Sequence, residues 1–131
     1  MKRSILAVLG GYLVMYIAIL VPFFIWFREP SAALTLGFML FSLAFGFMAA
    51  TAGGYVAAAI ARRKEMAHVA ALASFATLLG VYIMTRLADM APLWYQVTLI
   101  VTMIPAVLLG GFVRAGRRAG ANRQVEADAA D

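Results

Sequence analysis

Residues 55–70 read YVAAAIARRKEMAHVA, so three consecutive basic residues separate two apolar runs. Four such runs occupy the chain, at 5–27, 32–61, 66–85 and 91–113. A helix that crosses a bilayer core of ~30 Å needs about 20 apolar residues, which each run provides. The pattern therefore predicts an all-α integral membrane protein with four spans.

The basic residues are sorted by position. Nine of the 11 lie in alternate intervals between the runs, namely Lys2, Arg3, Arg62, Arg63, Lys64, Arg114, Arg117, Arg118 and Arg123. The two other intervals hold only Arg28 and Arg86. Short loops rich in Lys and Arg stay cytoplasmic, and short connections make consecutive helices antiparallel neighbours. The sequence thus predicts an up-down-up-down four-helix bundle with both termini in the cytoplasm.

Composition sets the domain organisation. Of 131 residues, 65% are hydrophobic and 13% are charged, which is too apolar for a soluble domain of this size. We expect a span domain at 1–113 and a cytoplasmic tail at 114–131 that is basic, then acidic, and partly disordered. The chain has no cysteine, which excludes disulfides, thiolate catalysis and sulfur-ligated zinc.

Small residues recur at intervals of four, and we call these positions the small-residue ladder. In the second run they are Ser42, Gly46, Ala50, Gly54 and Ala58, and in the fourth they are Thr98, Thr102, Ala106 and Gly110. The third run is small on several sides, through Ala67, Ala70, Ala71, Ser74, Thr77 and Gly80. Small residues let helices approach closely in lipid, so the ladder predicts helix packing within the chain, with homo-oligomerisation as the alternative.

A Gly-Gly-aromatic triplet occurs three times, at 10–12, 53–55 and 110–112. With the predicted topology, all three lie in the cytoplasmic half of the membrane. Glycine permits close approach of backbones, so the triplets predict tight packing there. A pocket lined by backbone is the alternative.

Ionisable residues avoid the apolar runs. All six acids, at 29, 65, 89, 126, 128 and 131, fall in loops or in the tail. Proton-coupled transport needs an ionisable group at membrane depth, so this placement argues against a proton-coupled exporter. Glu65 and His68 are spaced to form a pair that senses pH or binds a headgroup phosphate, although a purely interfacial position is the alternative.

The basic residues that follow the fourth run predict a lipid contact. Arg114, Arg117 and Arg118 share one face if the helix continues, where they would meet anionic headgroups. Because the charges mark membrane boundaries and form no stripe interleaved with aromatics, we expect no nucleic-acid binding. No nucleophile and base stand at motif spacing, so we expect no enzyme activity, cofactor or metal.

The stretch Lys2-Arg3-Ser4-Ile5 with GGYLVM at 10–15, together with AGGYVAA at 52–58, resembles a group of small bacterial membrane proteins with four predicted spans. The resemblance covers roughly the first 80 residues and implies no activity. We therefore expect a structural or accessory protein of the bacterial inner membrane, which packs laterally with itself or a larger complex. The alternative is a small transporter or channel for an apolar or amphipathic solute. A polar cavity lined by Tyr12, Tyr16, Thr51, Ser74 or Thr102 would favour that alternative, and a dry, closely packed centre would favour the first.

Overall fold

Four α-helices make up the described part of the chain. They are α1 (Lys2–Arg28), α2 (Leu36–Ala61), α3 (Glu65–Arg86) and α4 (Leu93–Asp128). The computed structural model describes residues 2–28, 35–61, 65–86 and 91–129. Each helix is long and apolar enough to cross a membrane, so the prediction of an all-α protein with four apolar spans is confirmed.

The helix starts differ slightly from the apolar runs. The second run begins at residue 32, but α2 begins at Leu36, where Thr35 caps the helix. The Phe38 amide donates to Thr35 Oγ1 at 3.3 Å, and the Met39 amide donates to the Thr35 carbonyl at 3.1 Å. The connections at 29–34, 62–64 and 87–90 lie outside the described residues, so the predicted basic loop stays a prediction.

The core of the bundle consists mainly of small side chains. The largest fully buried side chains are only Leu72, Val69 and Val107. Around them lie buried alanines, including Ala57, Ala58, Ala73, Ala76 and Ala106. The helix α2 packs along both α1 and α4, and α4 packs along α3. Since lipid chains are as apolar as leucine, close contact between backbones is what stabilises such a bundle.

Large apolar side chains cover the outside of the bundle. Ile5, Leu13, Leu78, Val101 and Phe112 are each more than half exposed. A continuous apolar surface of this kind is typical of a membrane contact.

The fourth helix is the longest and does not end with the apolar run. It has 36 residues and continues through 114–128, where the composition predicts partial disorder. Alanine and arginine, with four of each, make up more than half of this extension, and both favour helix. The boundary between a span domain and a tail at residue 113 stays a prediction.

Candidate functional site

Helices α2 and α4 touch through two glycines of the small-residue ladder. A Cβ added to Gly54 would overlap the carbonyl oxygen of Val107. A Cβ added to Gly110 would overlap the carbonyl oxygen of Thr51 and lie 2.7 Å from the backbone nitrogen of Tyr55. Only glycine fits at these two positions without a shift of the backbone.

Helices α1 and α2 are also in close contact at the same end of the bundle. A Cβ on Gly11 would lie 2.7 Å from the Gly53 carbonyl oxygen and 2.8 Å from Leu72 Cδ2. A Cβ on Gly111 would lie 2.8 Å from Val69 Cγ2. The glycines of all three triplets therefore face neighbouring backbone or side chains, and we call this region the packed half of the bundle.

The ladder residues divide into two groups, one where the helices are in close contact and one where they are farther apart. Ala50, Gly54, Ala58, Ala106 and Gly110 are buried, and Ser42 is 7% exposed. Gly46, Thr98 and Thr102 are half-buried. A Cβ on Gly46 would lie 3.6 Å from Leu99 Cδ2, which is an ordinary contact. The helices are thus farther apart at Gly46 than at Gly54, and the role of the whole ladder in packing stays a prediction.

A cavity of about 340 Å³ opens where the helices diverge. All four helices line it, through 15–22 of α1, 38–50 of α2, 80–84 of α3, and 91–103, which leads into α4. Its walls include Ile19, Phe45, Gly46, Gly80, Ile100 and Met103. Thr102 is a lining residue, whereas Tyr12, Tyr16, Thr51 and Ser74 are not. The cavity is therefore mainly apolar, and only one of the five predicted polar positions contributes to it.

A hydrogen-bonded pair joins α2 to α4 at this cavity. Ser42 Oγ and the Tyr95 hydroxyl are 2.7 Å apart. Ser42 Oγ also donates to the Met39 carbonyl at 3.0 Å, so its one proton is used there and Tyr95 is the donor to Ser42. The sequence gives no signal for this pair, because the two residues are 53 positions apart.

An ion pair lies at the end of the bundle opposite the cavity. Arg118 Nη1 donates to Glu65 Oε1 at 2.6 Å and so ties the extension of α4 to the start of α3. The Arg118 side chain is 50% exposed and that of Glu65 is 11% exposed. His68 is half-buried one turn after Glu65, and the predicted pairing of these two residues stays a prediction.

The three arginines expected at lipid headgroups have different environments. The Arg114 guanidinium lies 5.8 Å from the centre of the Tyr55 ring, and its Nε is buried without a hydrogen-bond partner among the described residues. Arg117 is exposed, and Arg118 is paired with Glu65. No group of three or more His, Cys, Asp or Glu residues within the described ranges could hold a metal ion.

These environments predict unequal contributions to lipid binding. Each basic residue near an anionic surface contributes ~1 kcal/mol, which corresponds to about fivefold in affinity. We expect Arg117→Gln to lower the affinity for phosphatidylglycerol by about that factor and Arg118→Gln to have a smaller effect, because Glu65 already neutralises Arg118. Native mass spectrometry of the purified protein with added lipid measures this. Arg86→Gln, at the other end of α3, is the control, and equal lipid binding by all variants would contradict the assignment.

No family model, no curated protein and no solved structure matches the chain.

Proposed function

We propose that the chain is a structural or accessory protein of the bacterial inner membrane that associates laterally with itself or with a larger membrane complex. One observation carries this proposal, namely that α3 has small residues on its outward face as well as alanines on its inward face. The inward face holds Val69, Leu72, Ala73 and Ala76, which are buried. The outward face holds Ala67, Ala70, Ala71 and Ser74, which are exposed.

The outward face of α3 differs from a surface built only for lipid. Beyond residue 74 the same helix carries large exposed side chains such as Leu78, and α1 and α4 carry Leu13 and Val101, so the small outward residues are confined to 67–74. Alanines let a second helix approach closely, and the Ser74 hydroxyl can bond across such an interface. A small-residue face that is left uncovered by the chain's own helices therefore favours a partner helix.

Substitution on this face tests the proposal. We expect Ala71→Leu to lower association by about tenfold, because the larger side chain separates the helices. Ala44→Leu is the matched control, since Ala44 is an exposed alanine of α2. Energy transfer between two labelled copies in one membrane measures self-association, and a pull-down in mild detergent with mass spectrometry identifies other partners. Lateral association would be refuted if the wild-type chain showed no energy transfer and also had no specific partner in the pull-down.

Pairs of neighbouring residues support the proposed up-down-up-down topology. Gly10 lies against Ile60 and Gly53 against Met15, which suits antiparallel α1 and α2. Glu65 meets Arg118 and Gly111 meets Val69, which suits antiparallel α3 and α4. Ser42 meets Tyr95, Gly46 meets Leu99 and Gly54 meets Val107, which suits parallel α2 and α4. This combination is the one expected for four consecutive antiparallel helices.

The basic residues favour both termini in the cytoplasm. We expect a green fluorescent protein fused after residue 131 to fluoresce, and alkaline phosphatase fused after Arg28 to be active, because the former matures in the cytoplasm and the latter in the periplasm. Alkaline phosphatase fused after residue 131 should be inactive, and green fluorescent protein fused after Arg28 should not fluoresce; these two fusions are the controls. An active phosphatase at residue 131 would reverse the proposed orientation.

A second candidate function is favoured by the cavity between the four helices. Most of the polar positions expected to favour this function do not line the cavity, but a pocket for an apolar solute needs few polar groups, and the described lining residues fit that description. In this reading the protein binds or moves a solute.

A further inference from the structure

The cavity has the size and lining of a ligand site. Its volume of about 340 Å³ falls within the usual range for small-molecule pockets, roughly 300 to 1,000 Å³. Four methionines line it, at Met15, Met39, Met84 and Met103. Unbranched thioether side chains adapt to irregular apolar shapes, so this wall can follow a flexible chain.

The described residues that line the cavity carry no charge, since none of them is Asp, Glu, Lys, Arg or His. An unpaired ion in an apolar medium loses its hydration without compensation. A ligand with an uncharged buried end therefore suits this described wall better than one that ends in a carboxylate, a phosphate or an ammonium group.

The hydroxyl groups that line the cavity can accept a hydrogen bond but have no proton left to donate. Ser42 donates to the Met39 carbonyl, and the Tyr95 hydroxyl donates to Ser42. Thr102 Oγ1 donates to the Thr98 carbonyl at 2.7 Å. Each oxygen keeps a lone pair, so the hydroxyls present acceptors.

Gln96 Nε2 donates one of its two amide protons to the Ala91 carbonyl at 2.7 Å. The hydroxyl oxygens of Ser42, Tyr95 and Thr102 outnumber this single amide group, so acceptors are in excess over donors among the described lining residues.

From this excess we infer that the cavity binds an apolar chain whose buried end is a neutral hydrogen-bond donor, that is, a long-chain alcohol or an alcohol-ended lipid. The hydroxyl of the ligand donates to Tyr95 or Thr102, and its chain lies against the methionines and Phe45. This assignment rests on the second candidate function and adds to it the chemical class of the solute.

Photolabelling tests the ligand class directly. The probes are a diazirine-bearing long-chain primary alcohol, the matching carboxylate and the matching alkane, each added to the full chain in lipid nanodiscs. We expect the alcohol to label peptides from 38–50 and 91–103, and unlabelled alcohol to compete at least about tenfold better than the carboxylate or the alkane.

Two kinds of variant separate the outcomes. Tyr95→Phe removes one acceptor without filling space and should lower the preference for the alcohol over the alkane severalfold. Gly46→Leu and Gly80→Leu, from different helices, should fill the cavity and abolish labelling by all probes. Gly37→Leu is the control for both, because a Cβ there meets nothing within 4 Å and Gly37 does not line the cavity. Circular dichroism checks that each variant is folded.

The results distinguish the ligand class from the function on which it rests. If the alkane or the carboxylate labels the protein as strongly as the alcohol, and this labelling is lost in the filled variants, the inferred ligand class is wrong but an apolar site remains. Labelling by no probe, or labelling that persists in both folded filled variants, would overturn the site and the second candidate function together.

Discussion

Gly54→Ala should destabilise the bundle more than any other single methyl group added to α2. The added Cβ would overlap the Val107 carbonyl oxygen, and both partners are backbone, which cannot move aside as a side chain can. Overpacking typically costs about 1–3 kcal/mol, and we expect about 3 kcal/mol or more here, because α2 and α4 must separate along their whole contact. Reversible unfolding in mixed micelles, followed by circular dichroism, measures this cost.

Gly46→Ala is the matched control for Gly54→Ala. It adds the same methyl group to the same helix, but its contact with Leu99 is an ordinary 3.6 Å. We expect a change within about 0.5 kcal/mol, and the higher helix propensity of alanine opposes any loss. Gly110→Ala, from the other side of the contact, should resemble Gly54→Ala. Equal stability of Gly54→Ala and the wild type would mean that α2 and α4 do not meet at this residue.

Leu72→Ala should produce the second large effect. Leu72 is fully buried in α3, and its Cδ2 lies beside Gly11 of α1. Truncation of a buried leucine costs about 2–5 kcal/mol in water-soluble proteins. In lipid the transfer part of this cost is smaller, since the separated helix still has apolar surroundings, but the lost packing remains. We therefore expect about 2 kcal/mol in the same unfolding measurement.

Leu78→Ala provides the comparison for Leu72→Ala. The substitution is identical and lies on the same helix, but Leu78 is 71% exposed. Its removal should change stability by less than about 0.5 kcal/mol. If the two variants lost equal stability, the inward face of α3 would be wrongly assigned.

The helices could be predicted from the sequence because a membrane span depends on local composition. Four apolar runs of sufficient length are readable without tertiary information, and the structure has a helix over each. The start of α2 was harder to predict from the sequence, because its capping residue, Thr35, lies inside an apolar run. Capping depends on the local backbone, which an apolar pattern does not specify.

The contacts between helices could not be predicted from the same pattern. Gly46 and Gly54 hold equivalent positions in the small-residue ladder, but Gly46 lines the cavity and Gly54 touches the backbone of α4. The difference depends on where α2 and α4 converge, and a repeat of four residues does not encode that point. The pairing of Glu65 with Arg118 was missed for the same reason, although opposite charges at the ends of neighbouring helices are the signal that could have found it.

The last part of α4 extends beyond the apolar run, so its far end can act as a lever arm. At 1.5 Å per residue its 36 residues extend about 54 Å, whereas a bilayer core is about 30 Å thick. The part at 114–128 is a rod of about 22 Å, and the contact between Arg118 and Glu65 lies near its base as a pivot. A rotation of α4 by about 10° about this contact would move the far end of the helix, which lies about 15 Å from it, by about 3 Å. Small rearrangements among the spans would therefore be amplified at the end of the helix that is farthest from them.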